Sequence, residues 1–332
     1  MQPDTQISII IPTYKRLEIL RETYSHLTIA LKNIVAQIII INDDKTADIP
    51  SSFIINPANT VIINNRGSGA ASARNLGAKY AKANLLLFID DDILVNNDTI
   101  NSVLLLHEKY DRILSTPIWE YSDVVKELLS KTIFGRFKLL YDYTPIRGEK
   151  HREIDEQNNL YDVDSLASFC LSIKRDHYLE LNGMDEKFPY AGCEDQDFAA
   201  RAKKMGFKLI LDEDIVVKHN ETDRIKRHNW LLRQFNGVQG FVFLCQKFPE
   251  RKNVPLWNEN IPVQKNDSPK LKIKKIVKLF MRQKLISDLL NIIVTVCEQA
   301  HLPEIVLFKL YNLQAGIYLN QGFTKSYNAL CT

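Results

Sequence analysis

Three consecutive carboxylates, Asp90 to Asp92, follow the apolar segment Leu85–Ile89. Gathering three negative charges costs free energy unless a cation or hydrogen bonds compensate them. Because side chains alternate along an extended chain, we expect Asp90 and Asp92 to point one way and Asp91 the other. Clusters of oxygen ligands favour Mg²⁺ or Mn²⁺. The segment therefore indicates a divalent-cation site, the alternative being a solvated acidic loop that caps the next helix.

Two later features add a candidate base and a candidate metal ligand. Glu194 and Asp195 begin a predicted helix, Glu194–Met205, and a carboxylate held there could act as a general base. Simple capping of the helix is the alternative. His219 follows a β-prone segment, and alone it is more often an ordinary surface histidine. Beside Asp92 it would complete a mixed nitrogen and oxygen site suited to Mn²⁺.

The segment Asn64–Gly77 holds three of the 12 glycines of the chain. A GxGxxG dinucleotide fingerprint would need glycine where Ser72 stands, and a Walker A lysine motif is missing from the sequence. The turn can still bring a ligand close to the backbone near Gly69. Arg74 and Asn75 lie one turn into the following helix, where they would face the strand ends. A helix start with polar surface residues is the alternative.

The elements that must position these residues follow an α/β pattern. Four short apolar segments alternate with helical patterns over 17–31 and 70–83. Short continuous apolar runs are typical of strands buried on both faces of a parallel sheet, and repeated strand–helix–strand units imply a layered fold. Ligands gather beyond the carboxyl ends of such strands. We therefore expect one sheet edge to carry Thr13–Tyr14, Asp43–Asp44, Asn64–Gly69 and Asp90–Asp92.

Charge divides the chain unevenly, although the net charge of its 332 residues is only +3. Residues 1–222 carry 26 basic and 33 acidic residues, a net −7, whereas residues 223–332 carry 17 and 7, a net +10. We predict three parts: an α/β catalytic domain over 1–222, a helix and linker over 223–269, and a basic amphipathic helical region over 270–332. Opposite charge in two parts suggests different partners.

Residues 270–284 contain seven Lys and Arg and no acid, with apolar residues at helical spacing. We expect this helix to pack its apolar face on the protein with solvated lysines, or to lie on an anionic membrane surface. A nucleic-acid partner is not expected. The apolar segment Leu285–Val296 is too short and too polar to span a bilayer unaided. Five widely spaced cysteines fit a reducing compartment, so we expect a cytoplasmic protein, with peripheral contact at the inner face of the membrane as an option.

Five ordered motifs between Ile7 and His219 together resemble the family-2 glycosyltransferases. They are IIIPTYKR, INDD, NRGSGAASARNLGA, FIDDDI and GMDEKF…GCEDQDF…R. The resemblance implies a GT-A-type, Rossmann-like and mostly parallel sheet flanked by helices, followed by a helical C-terminal region. It implies a metal-dependent, inverting hexosyltransferase that moves a sugar from a nucleotide-diphosphate sugar, a UDP-sugar by family habit, to an acceptor hydroxyl. The acceptor would be a glycan or lipid-linked, in polysaccharide or glycoconjugate synthesis.

The resemblance also implies roles for individual residues. Asp195 is the first choice for the catalytic base and Glu194 the second. Mn²⁺ or Mg²⁺ would be bound by Asp92 and His219, with Asp90 beside them and nearer the ribose. The implied nucleotide-binding residues are Pro12, Thr13, Tyr14, Asp43, Asp44, Gly69, Arg74, Asn75, Asp90 and Asp91, with Asp44 preferred to Asp43 at the base edge. Lys15, where the family pattern has asparagine, and the pair Lys45-Thr46, where it has Gly-Ser, depart from that pattern beside this pocket.

Two other classes of function compete with this one. A sugar-nucleotide nucleotidyltransferase shares the α/β architecture, but it would need a glycine-rich basic loop after the first strand, and PTYKR lacks the glycines. A non-catalytic, membrane-associated protein that binds nucleotide sugars is the second alternative. The intact acidic residues and His219 argue against a decayed site.

Overall fold

The computed structural model describes residues 5–142, 152–155, 159–190 and 192–331. The chain divides into two compact units. The first comprises Met1–Val125, Pro145–Lys187 and Glu194–Thr222, and the second Lys126–Thr144, Phe188–Cys193 and Asp223–Thr332. The second unit thus includes two segments from the part of the sequence assigned to the α/β domain.

The secondary structure alternates strands and helices up to residue 219 and is helical from there on. The elements, in chain order, are β1 (Ile7–Thr13), α1 (Leu17–Ala30), β2 (Ala36–Asn42), β3 (Thr60–Asn64), α2 (Gly69–Tyr80), β4 (Leu85–Ile89), β5 (Ile93–Leu94), α3 (Asn97–Lys109), β6 (Ile113–Tyr121), α4 (Asp123–Ser130), α5 (Ile133–Asp142), β7 (Arg152–Asp155), β8 (Leu160–Asp162), β9 (Cys170–Lys174), α6 (Arg175–Glu180), α7 (Glu194–Lys204), β10 (Lys208–His219), α8 (Arg227–Lys247), α9 (Pro255–Asn258), α10 (Pro269–Met281), α11 (Lys284–Gln299) and α12 (Glu304–Cys331).

Within the described chain the strands form one sheet in the order β3-β2-β1-β4-β9-β6-β10-β8-β7, with β5 paired to β10. The first four strands pair in parallel, as the sequence predicts. β9 lies between β4 and β6 and runs antiparallel to both. The α/β class with helices around the sheet is confirmed, and the sheet as a whole is mixed. Strand direction could not be predicted for β9, because an apolar run reads the same in either direction.

Helices cover both faces of the sheet, which is why its central strands are continuous apolar runs. On one face Ile9 and Leu87 pack in a cluster with Tyr24 of α1. On the other face Ile10 and Phe88 pack in a cluster with Phe198 of α7. Adjacent strand residues thus alternate between two separate cores.

The polar strand ends gather at one edge of the sheet, as expected. Thr13, Asn42 and Asn64 are register partners across β1, β2 and β3. The segment 90–92 follows β4, the other neighbour of β1. β5 begins directly after Asp92 and pairs with the end of β10, which brings the last residue of β10 to the same edge.

The second unit has its own apolar core, in which Trp230 of α8 and Tyr311 of α12 are buried. Residues 250–269, expected as a linker, contain α9, whose Trp257 is buried against Phe323 at 5.4 Å between ring centroids. Among the described residues no helix combines the length and the hydropathy that crossing a membrane requires.

The apolar face of α10 is turned to solvent, whereas our first expectation was that it packs on the protein. Ile273 and Ile276 on its apolar face are exposed, whereas Lys275 is buried. The expected packing, with the apolar face on the protein and the lysines in water, is therefore wrong. Two carboxylates precede the helix in the chain: Asp267 pairs with the buried Lys275, and Glu259 pairs with Lys274 and Lys278, which stay partly exposed.

Candidate active site

Three side chains with metal-ligand chemistry meet where β5 pairs with β10. Nε2 of His219 is 3.2 Å from Oδ1 of Asp92 and 3.8 Å from Oε2 of Glu221. One ligand atom from each lies within 4.8 Å of the others. Asp92 and Glu221 are buried and His219 is half-buried. Two carboxylates and one imidazole at these separations suit Mn²⁺ or Mg²⁺.

Strand pairing places His219 in this cluster. It is the register partner of Ile93, one residue after Asp92. The backbone N–H of Asn220 donates to the carbonyl oxygen of Asp92 at 2.7 Å, which continues the connection past the strand end. The ring of Trp119 meets the imidazole edge-on at 5.2 Å. The condition set by the sequence, that the fold brings His219 beside Asp92, is met.

Glu221 belongs to the cluster although sequence reasoning did not single it out. Its side chain is fully buried, and its Oε1 accepts a hydrogen bond from the hydroxyl of Tyr121 at 3.3 Å. A carboxylate in this position needs positive charge or hydrogen bonds to offset its lost hydration. One signal was available: Glu221 stands two residues after His219, and alternate residues of an extended segment share a side.

Asp91 makes contacts of a different kind from those of Asp92. Its carboxylate accepts from the Thr13 hydroxyl at 2.7 Å and pairs with Arg16 at 2.6 Å, and its carbonyl accepts from Thr23 at 2.8 Å. Burial raises the pKa of Asp91 to about 6, against the opposing effect of Arg16. These bonds join the ends of β1 and β4 to α1. A direct role for Asp91 in nucleotide binding stays a prediction.

Arg16 was not among the predicted site residues, yet it links both central carboxylates. Its second guanidinium nitrogen lies 2.8 Å from Oδ2 of Asp92. Asp92 therefore presents one oxygen to Arg16 and the other to His219. The preceding residue, Lys15, has a φ of 57°, in the left-handed region where asparagine is enriched over lysine. That turn gives a physical reason for the asparagine of the family pattern at this position.

The tip of β2 is tied to the glycine-rich loop. The Asp43 carboxylate accepts from the side chain of Asn65 and from the backbone N–H of Gly69, each at 2.8 Å. Asp44 accepts from the backbone and the hydroxyl of Thr46, and the hydroxyl bond is the main cause that lowers its pKa. Gly69 has a φ of +86°, and a Cβ there would meet no atom within 4 Å. The loop thus leaves open space beside a backbone that glycine suits.

The remaining predicted nucleotide-binding residues lie at the same edge with different degrees of exposure. Tyr14 is exposed, Pro12 is half-buried and Thr13 is buried. The cation of Lys15 lies 5.2 Å from the centre of the Tyr14 ring. Nζ of Lys45, the other departure from the family pattern, donates to the carbonyl oxygen of Asn65. Lys45 therefore connects the β2 tip to the loop after β3.

Arg74 connects the acidic strand end to the start of α7. Its guanidinium is buried, with one nitrogen 2.6 Å from Oδ1 of Asp90 and another 3.4 Å from Oε1 of Glu194. Asp195 accepts from the N–H of Gln196 at 2.7 Å. Burial, and next the charge of Glu194, raise the pKa of Asp195 to about 7. A carboxyl group that titrates near neutrality suits a general base.

Asn75 is engaged by the loop before α7. Its amide oxygen accepts from the Tyr178 hydroxyl at 2.6 Å and from the N–H of Met184 at 2.9 Å. Its amide nitrogen donates to the carbonyl of Met184 and to Glu186, each at 2.8 Å. These bonds use all four positions of the amide. The predicted contact of Asn75 with the nucleotide would have to replace one of them, and it stays a prediction.

The amino-acid sequence of this chain matches two protein-family models. It matches the family model described as Glycosyl transferase family 2 over residues 8–178, more than half of the chain. A second model, described as N-terminal domain of galactosyltransferase, matches residues 149–228.

Curated relatives match over part of the chain. The uncharacterized glycosyltransferase RC0461 of Rickettsia conorii is 36% identical over 115 residues, which are 34% of this chain and 19% of the relative. The minor teichoic acid biosynthesis protein GgaB of Bacillus subtilis is 33% identical over 122 residues, 34% of this chain and 13% of the relative. The chain therefore spans less than a fifth of the length of these two relatives.

A solved structure supports the fold. The mannosyltransferase PcManGT from Pyrobaculum calidifontis, in complex with GDP-Man and Mn²⁺, aligns with a TM-score of 0.57 at 13% identity. The alignment covers 98% of this chain and 89% of that one, and it confirms the predicted GT-A fold. Ordered motifs, the sheet edge that gathers them and the family match agree, so the chain belongs to glycosyl transferase family 2.

Proposed function

We propose that this protein is a metal-dependent, inverting glycosyltransferase that moves a sugar from a nucleotide-diphosphate sugar to an acceptor hydroxyl. The single observation that carries the proposal is the connected set of acidic groups at the sheet edge. Asp92 faces His219. Two residues earlier, Asp90 pairs with Arg74, and Arg74 also pairs with Glu194, the residue before Asp195. One edge thus offers both a metal site and a candidate base.

The metal would be held by Asp92, His219 and Glu221. Asp90, the other expected ligand, pairs with Arg74 in the structure. Residues 1–222 carry a net charge of −7, so a diphosphate would be repelled there without a compensating cation. A bound Mn²⁺ or Mg²⁺ supplies charge neutralisation of the leaving diphosphate. Arg16 holds Asp92 from the other side and fixes the direction of its carboxylate.

Asp195 is our choice for the base. As the acceptor oxygen bonds to the anomeric carbon, the bond from that carbon to the diphosphate breaks and the hydroxyl proton passes to the Asp195 carboxylate. Attack from the face opposite the leaving group inverts the configuration at the anomeric carbon. Glu194, which is buried against Arg74, is the second choice.

The donor and acceptor classes rest on the family resemblance. We propose a UDP-sugar as donor, bound by the residues at the tips of β1 to β4 and the start of α2. The relative GgaB is a minor teichoic acid biosynthesis protein, which supports a polymeric or lipid-linked glycan as acceptor. A lipid-linked acceptor would also give residues 270–284 a reason to contact a membrane.

Product analysis over a panel of nucleotide-diphosphate sugars with Mn²⁺ tests this function. We expect release of the nucleoside diphosphate and a glycoside of inverted anomeric configuration. Release of pyrophosphate would identify a nucleotidyltransferase instead. Binding of a donor without turnover, over a panel of glycan acceptors, would favour the non-catalytic alternative.

A further inference from the structure

α10 attaches to its own unit through its basic side. Nζ of Lys275 is 2.7 Å from Oδ2 of Asp267, and this lysine is only 5% exposed. Lys274 and Lys278 both reach Glu259, at 2.5 Å and 3.1 Å. Lysine side chains are rarely buried unless they are paired, and the contact with Asp267 accounts for the burial of Lys275.

The apolar side of α10 is consequently in water. Ile273, Ile276, Val277 and Phe280 follow the spacing i, i+3, i+4, i+7 of one helix face and are 53–65% exposed. An amphipathic helix of a globular protein normally buries this stripe. Its exposure indicates that something outside the described chain covers it.

α11 also exposes an apolar face. Leu285, Leu289, Ile292 and Val296 share a face and are 54–81% exposed, while Leu290 is buried. Ten of the 28 large apolar side chains that are exposed in the described chain lie between Ile273 and Val296. We call the exposed apolar residues of this range the apolar stripe. Apolar surface concentrated in this way marks an interaction site.

Charge identifies the kind of surface that fits. Residues 268–297 contain seven Lys and Arg and one acid, Asp288. Glu259 and Asp267 pair with three of these lysines, and the region stays net basic when both acids are counted. Lys270 and Lys284 are exposed at the start of each helix. A second copy of this chain would bring two basic surfaces together, which opposes pairing of the stripe with itself. The surface of an anionic bilayer offers acyl chains to the apolar residues and negatively charged headgroups to the lysines.

We propose that α10 and α11 together form an interfacial surface that binds an anionic lipid bilayer. The apolar stripe lies at the boundary between headgroups and acyl chains, and Lys270 and Lys284 contact lipid phosphates. Long lysine side chains suit this position, since their stems are apolar and their ends are charged. The proposal deepens the membrane contact named with the proposed function, and it holds whether or not the protein turns over a sugar donor.

Co-sedimentation of the full chain with vesicles tests the proposal, in the absence of donor and metal. We expect binding at low salt to vesicles of phosphatidylcholine mixed with phosphatidylglycerol, and much weaker binding to phosphatidylcholine alone. The double variant Ile276→Ser/Phe280→Ser should weaken binding by about tenfold or more, because it removes two inserted side chains. Ile29→Ser/Leu105→Ser is the matched control, since these side chains on α1 and α3 are 74% and 63% exposed but outside the stripe. The control should bind as the unchanged protein does.

A second pair of variants tests the charged part. Lys270→Gln and Lys284→Gln should each weaken binding to the anionic vesicles by about fivefold, and added salt should reduce the difference. Phe280→Trp keeps an apolar side chain, and its fluorescence should shift to shorter wavelength when vesicles are added. This reporter shows insertion even where the serine variant folds poorly.

Several results would overturn the proposal. One is no binding at low salt, and another is equal binding by the stripe variant and the control. Equal binding to neutral and anionic vesicles would show that the lysines do not contact lipid phosphates, which contradicts the proposal. Dimers that form with rising protein concentration and disappear in the stripe variant would identify a second copy as the occupant.

Discussion

At the scale of single residues, two adjacent carboxyl groups at the start of α7 have different surroundings. Glu194 is buried and paired with Arg74 at 3.4 Å. Asp195 has a pKa raised to about 7, mainly by burial and next by the charge of its neighbour. Paired titratable groups with different environments can take different roles, one structural and one in proton transfer. The chemistry assigned to this pair rests on that difference.

The variant Asp195→Asn tests the assignment of the base. It keeps the shape of the side chain and removes its ability to accept a proton. We expect turnover to fall by about 10²–10⁴-fold, while donor affinity stays close to that of the unchanged protein. Steady-state kinetics together with donor titration measures both quantities. Turnover near the original value would show that another group accepts the proton.

The pH dependence of turnover follows from the same pKa. A base must be deprotonated to act, so turnover should rise with pH below about 7 and level off above it. On the acidic side, each pH unit should cost about tenfold. The profile of the Asp195→Asn variant should lack this rise. An identical rise in that variant would assign the titration to a different group.

Glu221 provides a test of the metal site that depends on the structure. Glu221→Gln should weaken Mn²⁺ binding by at least about tenfold, because the amide offers a neutral oxygen in place of a charged one. The Mn²⁺ concentration that gives half of the maximal thermal shift measures this. Glu213→Gln, on β10 but outside the cluster, is the control. Equal Mn²⁺ affinity in both variants would exclude Glu221 as a ligand.

At the scale of elements, the close approach of α2 to β1 is a feature of the motif around Gly77. A Cβ at Gly77 would lie 2.3 Å from Cγ2 of Ile10, which is buried in the central strand. At Gly316 of α12 the same atom would meet nothing within 4 Å. The two helical glycines therefore have different reasons to be glycine.

Gly77→Ala and Gly316→Ala should change stability in opposite directions. Alanine favours a helix over glycine by about 1 kcal/mol, and at Gly316 this gain is not opposed. At Gly77 the steric clash outweighs the gain, and we expect a loss of about 1–3 kcal/mol. Denaturant unfolding of the two variants measures the difference. A stabilised Gly77→Ala variant would mean that the helix can move away from β1 at little cost.

Sequence patterns predicted which strands and helices carry the site better than they predicted which of these elements pair or pack together. The four strand tips could be predicted, because apolar runs ending in polar residues mark strands and their carboxyl ends. Glu221 was missed although it stands two residues after His219, because the sequence does not reveal the pairing of β10 with β5 that brings this segment to Asp92. Of the two alternatives for α10, the one that packs its apolar face on the protein was wrong. Periodicity shows which residues share a face, but it does not reveal the contact with Asp267 that accounts for the burial of Lys275.

At the scale of the whole molecule, the net charge of +3 hides a division of roles. Residues 1–222, at −7, hold the acidic sheet edge, where a cation is needed to receive a diphosphate. Residues 223–332, at +10, include the apolar stripe and its lysines. The negative part and the positive part thus fit two different anionic ligands, the first through a metal and the second directly.

The dependence of nucleoside diphosphate release on a divalent cation tests the central claim most directly. A donor that the protein turns over is chosen first. Release of the nucleoside diphosphate from this donor is then measured before chelation, after thorough chelation and after Mn²⁺ or Mg²⁺ is added back. We predict that chelation abolishes release and that either cation restores it, because Asp92, His219 and Glu221 are the proposed ligands of the cation. Undiminished release after complete removal of divalent cations would contradict the metal-dependent mechanism proposed for this sheet edge.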